Sequence, residues 1–208
     1  MPYLRAAIFE VTWRASHLRR SELGSFSIEG VLMFPLLLWA YMGMYVFFEG
    51  LRENNINLKA AYTVGDLLSR ETDLVDMTYL NGMNNVFAWL TRSSNPVAIR
   101  VTVVRFDEAT DSHLLVWSRG IAGKPNLDQN DVDLYVSPDI PIMADADTVI
   151  VVETWATFVP VMEIGLTTTD IYNLVVTAPR FTEQLMFEGV GDGGGSPHDD
   201  GNDGDVGI

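Results

Sequence analysis

The chain has no cysteine and only three histidines, and its 13 Lys and Arg stand against 28 Asp and Glu, a formal charge of −15. Without thiols there are no disulfides, thiolate zinc sites, iron–sulfur clusters or cysteine nucleophiles. Nucleic-acid affinity rests on basic residues that neutralise phosphates, so this balance excludes a nucleic-acid partner. Histidine chemistry is equally short of material. His17, His113 and His198 are far apart, and no G-x-S-x-G, P-loop or H-E-x-x-H motif occurs. His113 reads as a surface residue at the start of a strand. The acidic runs 128–133 and 200–205 lack the ligand spacing of an EF-hand loop and read as solvated surface. No catalytic residue, cofactor or metal is assigned from the sequence, and no enzyme activity is expected.

What the chain does have is a stretch from which charge is missing. Of 208 residues 48% are hydrophobic, too many for a disordered chain. The excess is concentrated in GVLMFPLLLWAYMGMYVFF, residues 30–48, which carries no charged residue, the run ending at Glu49. At ~1.5 Å rise per residue about 20 apolar residues cross a ~30 Å hydrocarbon core, so residues 25–48 predict one transmembrane helix, with the lipid bilayer as its surroundings. A secretory signal fits less well. Its apolar region is shorter, and Ala40-Tyr41-Met42-Gly43 sets bulky residues where a small-x-small cleavage site is needed. Residues 1–24 carry Arg5, Arg14, Arg19 and Arg20 against Glu10 and Glu22, whereas Arg52 and Lys59 follow the span. The positive-inside rule therefore keeps the N-terminus cytoplasmic and sends residues 49–188 to the other side.

After Phe48 the apolar residues become periodic. Ile56, Ala60, Val64, Leu67 and Leu68 fall at helical spacing, which predicts that the helix continues as an amphipathic stem. Asp73 is the expected cap of a second helix, with Leu80, Met83, Phe87 and Leu90 on its buried face and an end before Ser93-Ser94-Asn95-Pro96. From Val97 the period is two. Strands are expected from Val97 to about Val104, His113 to Ser118, Thr148 to Val159 and Ile171 to Thr177, with a hairpin turn at 107–111 and a long polar connection from Gly120 to Ala146. Helices followed by strands with no βαβ rhythm predict an α+β fold, an antiparallel sheet packed on the stem. Residues 189–208 hold five Asp and eight Gly and predict a flexible acidic tail.

One acid sits where it is expensive. Glu29 lies at the entrance of the apolar run, where a carboxylate needs a partner. Upstream stands Arg19-Arg20-Ser21-Glu22-Leu23-Gly24. This arrangement resembles the leader junction of type IV prepilins: a basic leader ending in Gly, then four residues, a Glu and a hydrophobic helix. Within that superfamily residues 24–50 look most like the TadE/TadF minor pseudopilins of the tight-adherence (Tad/Flp) pilus system, in which Glu occupies the fifth place after the Gly and Pro stands near the eleventh. Glu29 and Pro35 occupy those places. The sixth place, commonly Phe or Tyr in the family, is Gly30 here. Farther along, VIVVETWATFVP (149–160) and LVVTAPRF (174–181) are similar to late strands of these proteins.

The resemblance implies that a prepilin peptidase cuts between Gly24 and Ser25, with Arg19 and Arg20 in the basic leader. Glu29 would then face a new ammonium group at Ser25, its own or a neighbouring subunit's, because residues four apart share a helical face. It further implies a pilin-like fold, an inner-membrane location with a periplasmic C-terminal domain, incorporation into or assembly of a pilus, and other pilin-like subunits as partners. A membrane-tethered periplasmic binding or sensor module is the competing reading, in which the span is a simple anchor.

Overall fold

The computed structural model describes the backbone of residues 22–93 and 95–190, with side chains from Ser27 onward. Among the described residues the first element is a 48-residue helix, α1 (Glu22–Ser69), that runs unbroken through Pro35. The chain divides into two compact units. Helix residues up to Glu49 group with Val161–Leu166, and Gly50–Pro160 groups with the residues from Thr167 on.

In the second unit the α1 residues after Gly50 present a stripe of small side chains. Ala60, Ala61, Val64 and Leu68 are buried in the main core, as is the backbone at Gly65, where an added Cβ would meet Val175 Cγ1 at 3.5 Å. The stripe differs in two places from the periodicity in the sequence. Leu67 is partly exposed, and Asn57 is buried with its amide donating to the Glu53 carbonyl at 2.9 Å. The helix closes on its own carbonyls through Arg70 N–H to Leu67 O and Glu71 N–H to Leu68 O, each 3.2 Å, while Arg180 N–H caps Ser69 O at 2.8 Å.

Helix α2 (Met77–Thr91) begins at Asp76, not at Asp73. The Asp76 carboxylate accepts from Tyr79 N–H at 2.6 Å, the N-cap bond that sets a helix start. Asp73 instead gives its backbone N–H to the Glu71 carboxylate. As the spacing predicts, Leu80 and Phe87 are buried, with Met83 and Leu90 beside them.

Among the described residues four strands, β1 (Val97–Asp107), β2 (Ser112–Gly120), β3 (Thr148–Phe158) and β4 (Thr169–Thr177), form one antiparallel sheet in the order β2-β1-β3-β4. One face, with Ile99, Val101, Val103, Trp117, Ile150, Val152 and Val175, packs in the same core as α2 and the end of α1. The fold is thus α+β with a long N-terminal apolar helix.

The other face is not left to water. Because β2 lies outside β1 while β3 lies on its opposite side, the chain from Ile121 to Asp147 must cross the sheet. It is more than the polar loop its acids predict: a short helix α3 (Gln129–Asp131) and a wide turn (Val132–Val136) press Leu127, Val132 and Val136 onto Val104, Val149 and Val151. Every residue of β1 from Val97 to Val104 is therefore buried. A bulge between Val103 and Val104 lets Val116 sit unpaired in β2.

Candidate functional site

Of the residues singled out in the sequence, Gly24, Ser25, Glu29 and Pro35 lie in the early part of α1. Arg19 and Arg20 fall outside the described residues. Gly24 and Ser25 lie in the first turns of the helix, their surroundings outside the described side chains. Glu29 is exposed, one turn after Ser25 and on the same side. Pro35 stands six residues on, where it deprives the Val31 carbonyl of its helical donor. From Ile28 to Leu51 most large apolar side chains are exposed, among them Phe34, Leu37, Trp39, Met44 and Phe48, whereas Val46 is buried. Among the described residues this is one helix long and apolar enough to cross a membrane, and almost none of that stretch is buried. In water such a surface is unstable, since each Leu- or Phe-sized side chain left exposed forgoes ~1.5–3 kcal/mol of burial.

The same unit contains a second apolar element that the sequence reading passed over. Val161–Leu166, in the connection between β3 and β4, packs where the apolar run ends. A Cβ placed on Gly43 would stand 3.6 Å from Ile164 Cγ2, and one on Gly165 would stand 3.3 Å from the Phe47 ring. The available signal is the composition of 159–166, VPVMEIGL, apolar where a hairpin connection is ordinarily polar.

On the sheet, Arg100 of β1 and Glu153 of β3 stand directly opposite each other. They form a two-pronged pair, Nε to Oε2 at 2.6 Å and Nη2 to Oε1 at 2.7 Å, with the residues 9% and 3% exposed. Tyr172 donates its hydroxyl to Glu153 Oε1 at 3.0 Å, and Arg100 Nη1 reaches the Pro125 carbonyl at 3.3 Å. Trp155 is flanked by Arg100, 5.2 Å from its ring centre, and by Lys124 at 4.3 Å. Burial, then the neighbouring Glu153 charge and its hydrogen bond, push the Tyr172 phenol well above its usual range, with Arg100 opposing. Both oxygens of Glu153 are engaged, so this carboxylate clamps the strands and is not set up as a proton acceptor for a substrate.

A second polar group borders an open cleft of about 770 Å³ lined by residues including Glu71, Arg105, Glu183 and Gln184. Hydrogen bonds from the Asp73 backbone, the Tyr79 hydroxyl and the Thr72 backbone hold the Glu71 carboxyl below its ordinary value, against a partial rise from burial. Burial and the facing Glu71 push the Tyr79 phenol up to about 12.

Among the described residues no three His, Asp or Glu side chains are placed to hold a metal ion. Asp128 and Asp131 cap each other's backbone at the start of α3, with Asp131 N–H 2.8 Å from Asp128 Oδ1, and Asp133 accepts from Gln129 at 2.7 Å. The run 200–205 and His198 lie outside the described residues, as does His17. His113 is half-buried, its Nδ1 3.1 Å from Ser137 Oγ and its ring against Phe106. Compared with protein-family models, with curated proteins and with solved structures, the chain matches none.

Proposed function

We propose that the chain is a TadE/TadF-like minor pseudopilin, a single-pass inner-membrane protein that helps assemble a Tad (Flp) pilus. In this reading a prepilin peptidase removes residues 1–24 on the cytoplasmic side, and the sheet domain stands in the periplasm. Assembly proceeds by lateral association: the helix packs with other pilin-like helices, and Glu29 answers the ammonium group uncovered at Ser25. The observation that carries the proposal is a helix apolar on every side, with an acid at its entrance and a folded α+β domain after it.

The mature N-terminus tests it. Mass spectrometry of the membrane-extracted protein should find Ser25 first, and Glu29→Ala should still be cut yet reduce pilus assembly several-fold. An intact Met1, or full piliation with Glu29→Ala, counts against the pseudopilin. Pro35→Ala restores the Val31 hydrogen bond; if a weak point at Pro35 helps the helix leave the bilayer, assembly falls, and normal assembly removes that role.

The open cleft beside Glu71 and Arg105 favours a second reading, a tethered periplasmic binding module. That protein would keep its leader and tolerate Glu29→Ala.

A further inference from the structure

The structure points to a second membrane contact: we infer that Val161–Leu166 is a lipid-interface anchor, seated in the headgroup and upper acyl layer of the bilayer at the end of the span. The inference rests on α1 crossing the membrane, and does not depend on the pilus assignment.

Position is the first argument. The segment belongs to the same compact unit as the helix up to Glu49, through Ile164 at Gly43 and Gly165 at Phe47. The apolar run ends at Phe48, so at ~1.5 Å per residue Gly43 lies about 7.5 Å inside that end and Phe47 about 1.5 Å. The run of 19 residues is about 28 Å long, close to the ~30 Å hydrocarbon core, and leaves little room to raise the contact into water. Elements that lie in the interface bury their apolar side chains ~5–10 Å into this layer, a range that includes the contact of Ile164 at Gly43, while Gly165 at Phe47 lies at its outer edge.

Chemistry is the second. Val161 is 71% and Met162 43% exposed and Leu166 is half-buried, so the connection presents apolar side chains outward where a hairpin connection is ordinarily polar. The backbone folds tightly, Ile164 N–H bonding Met162 O at 2.9 Å, so one amide is satisfied internally before it leaves water. Gly165, at φ +79, supplies the left-handed residue that lays the segment on the Phe47 ring without a side chain between them. Glu163 is the segment's one charge and is exposed; no Lys or Arg occurs in 161–166. The contact is therefore hydrophobic and does not require anionic lipid, and the exposed Glu163 belongs at headgroup level.

The absence of cysteine makes the test direct. Single spin labels are placed by Met162→Cys, by Val161→Cys as an independent probe of the segment, by Leu38→Cys in mid-span and by Ala109→Cys in the β1–β2 turn. Each full-length variant is reconstituted in palmitoyl-oleoyl phosphatidylcholine vesicles, and collision with oxygen and with a water-soluble nickel chelate is measured. The expected result is a ratio of oxygen to nickel accessibility several-fold higher at 161 and 162 than at 109, and highest at 38, unchanged when a third of the lipid is phosphatidylglycerol. Labels at 161 and 162 that match 109 while 38 stays deep would overturn the anchor and leave the span intact. A label at 38 that is as accessible to nickel as 109 would overturn the span and the anchor with it.

Discussion

Arg100 and Glu153 are taken out of water together, and a buried pair is far more sensitive to losing one partner than to losing both. Glu153→Leu leaves a guanidinium 9% exposed with only the Pro125 carbonyl and a ring face. A loss of ~3–5 kcal/mol is expected, whereas Arg100→Met with Glu153→Leu should unfold within about 1 kcal/mol of the native chain or above it. Urea unfolding of the detergent-solubilised protein, followed by tryptophan fluorescence, checks this; a double variant as weak as the single one would mean the pair contributes net stability. The phenols give a pH signature. Tyr79 titrates near 12 in the fold against 10 in the unfolded chain, and Tyr172 is raised in the same direction. The folded state then holds more protons between these values, so the stability they contribute is complete below pH 10 and falls as pH rises from 10 toward 12. Chemical denaturation at stepped alkaline pH should show that decline, and Tyr79→Phe should flatten part of it. Glu71 runs the other way, its contribution present above 4.5 and lost as pH falls through its lower native value.

At the scale of elements, Gly65 of α1 faces the sheet, and an added Cβ there has room at 3.5 and 3.8 Å from Val175 and Thr177. Those are ordinary contact distances, so Gly65→Ala should gain helix propensity without a clash and stabilise by ~0.5–1 kcal/mol, read as a rise in Tm. Gly120→Ala has the opposite sign, since its Cβ would run into the Lys124 carbonyl. A loss of ~1–3 kcal/mol is expected there. The period of 3.6 made α2 and the later part of α1 legible, unbroken apolarity the earlier part of α1, and the period of 2 all four strands, although β1 is buried on both faces from Val97 to Val104. What the sequence did not reveal depends on crossings. Leu127, Val132 and Val136 are spaced among acids and look like a loop until the strand order forces that segment over the sheet. Asp76 and Asp73 are equally good caps on paper, and Val75, pinned to the backbone of Met186 and Glu188, decides between them. Arg100 and Glu153 lie 53 residues apart, and only the β1–β3 register joins them. In the candidate site the long apolar helix was readable from composition alone, whereas the packing of Val161–Leu166 depends on Ile164 meeting Gly43, which no local pattern encodes.

For the whole molecule the decisive quantity is which end of the span carries more positive charge. Four arginines precede the apolar run, and Arg52 and Lys59 follow within a dozen residues. Orientation responds to Lys and Arg near the span and hardly to acids, so the −15 of the whole chain does not enter. A margin of two positive charges is small enough to reverse. Replacing Arg14, Arg19 and Arg20 by Gln leaves Arg5 alone on the leading side. Adding Asn54→Lys and Asn55→Lys, both exposed on α1, raises the trailing side to four. A reporter active only outside the cytoplasm, fused after Ile208, should be active on the native chain and lose most of that activity on the five-substitution variant. A reporter active only inside should gain it. The leader changes alone leave one positive charge against two and should give a mixed population, because a reversed margin of a single charge is too small to fix one orientation. If the five-substitution chain keeps the native orientation, the folded domain after Gly50 and not the flanking charge directs insertion, and the arginines of the leader would then serve recognition of the segment and not its topology.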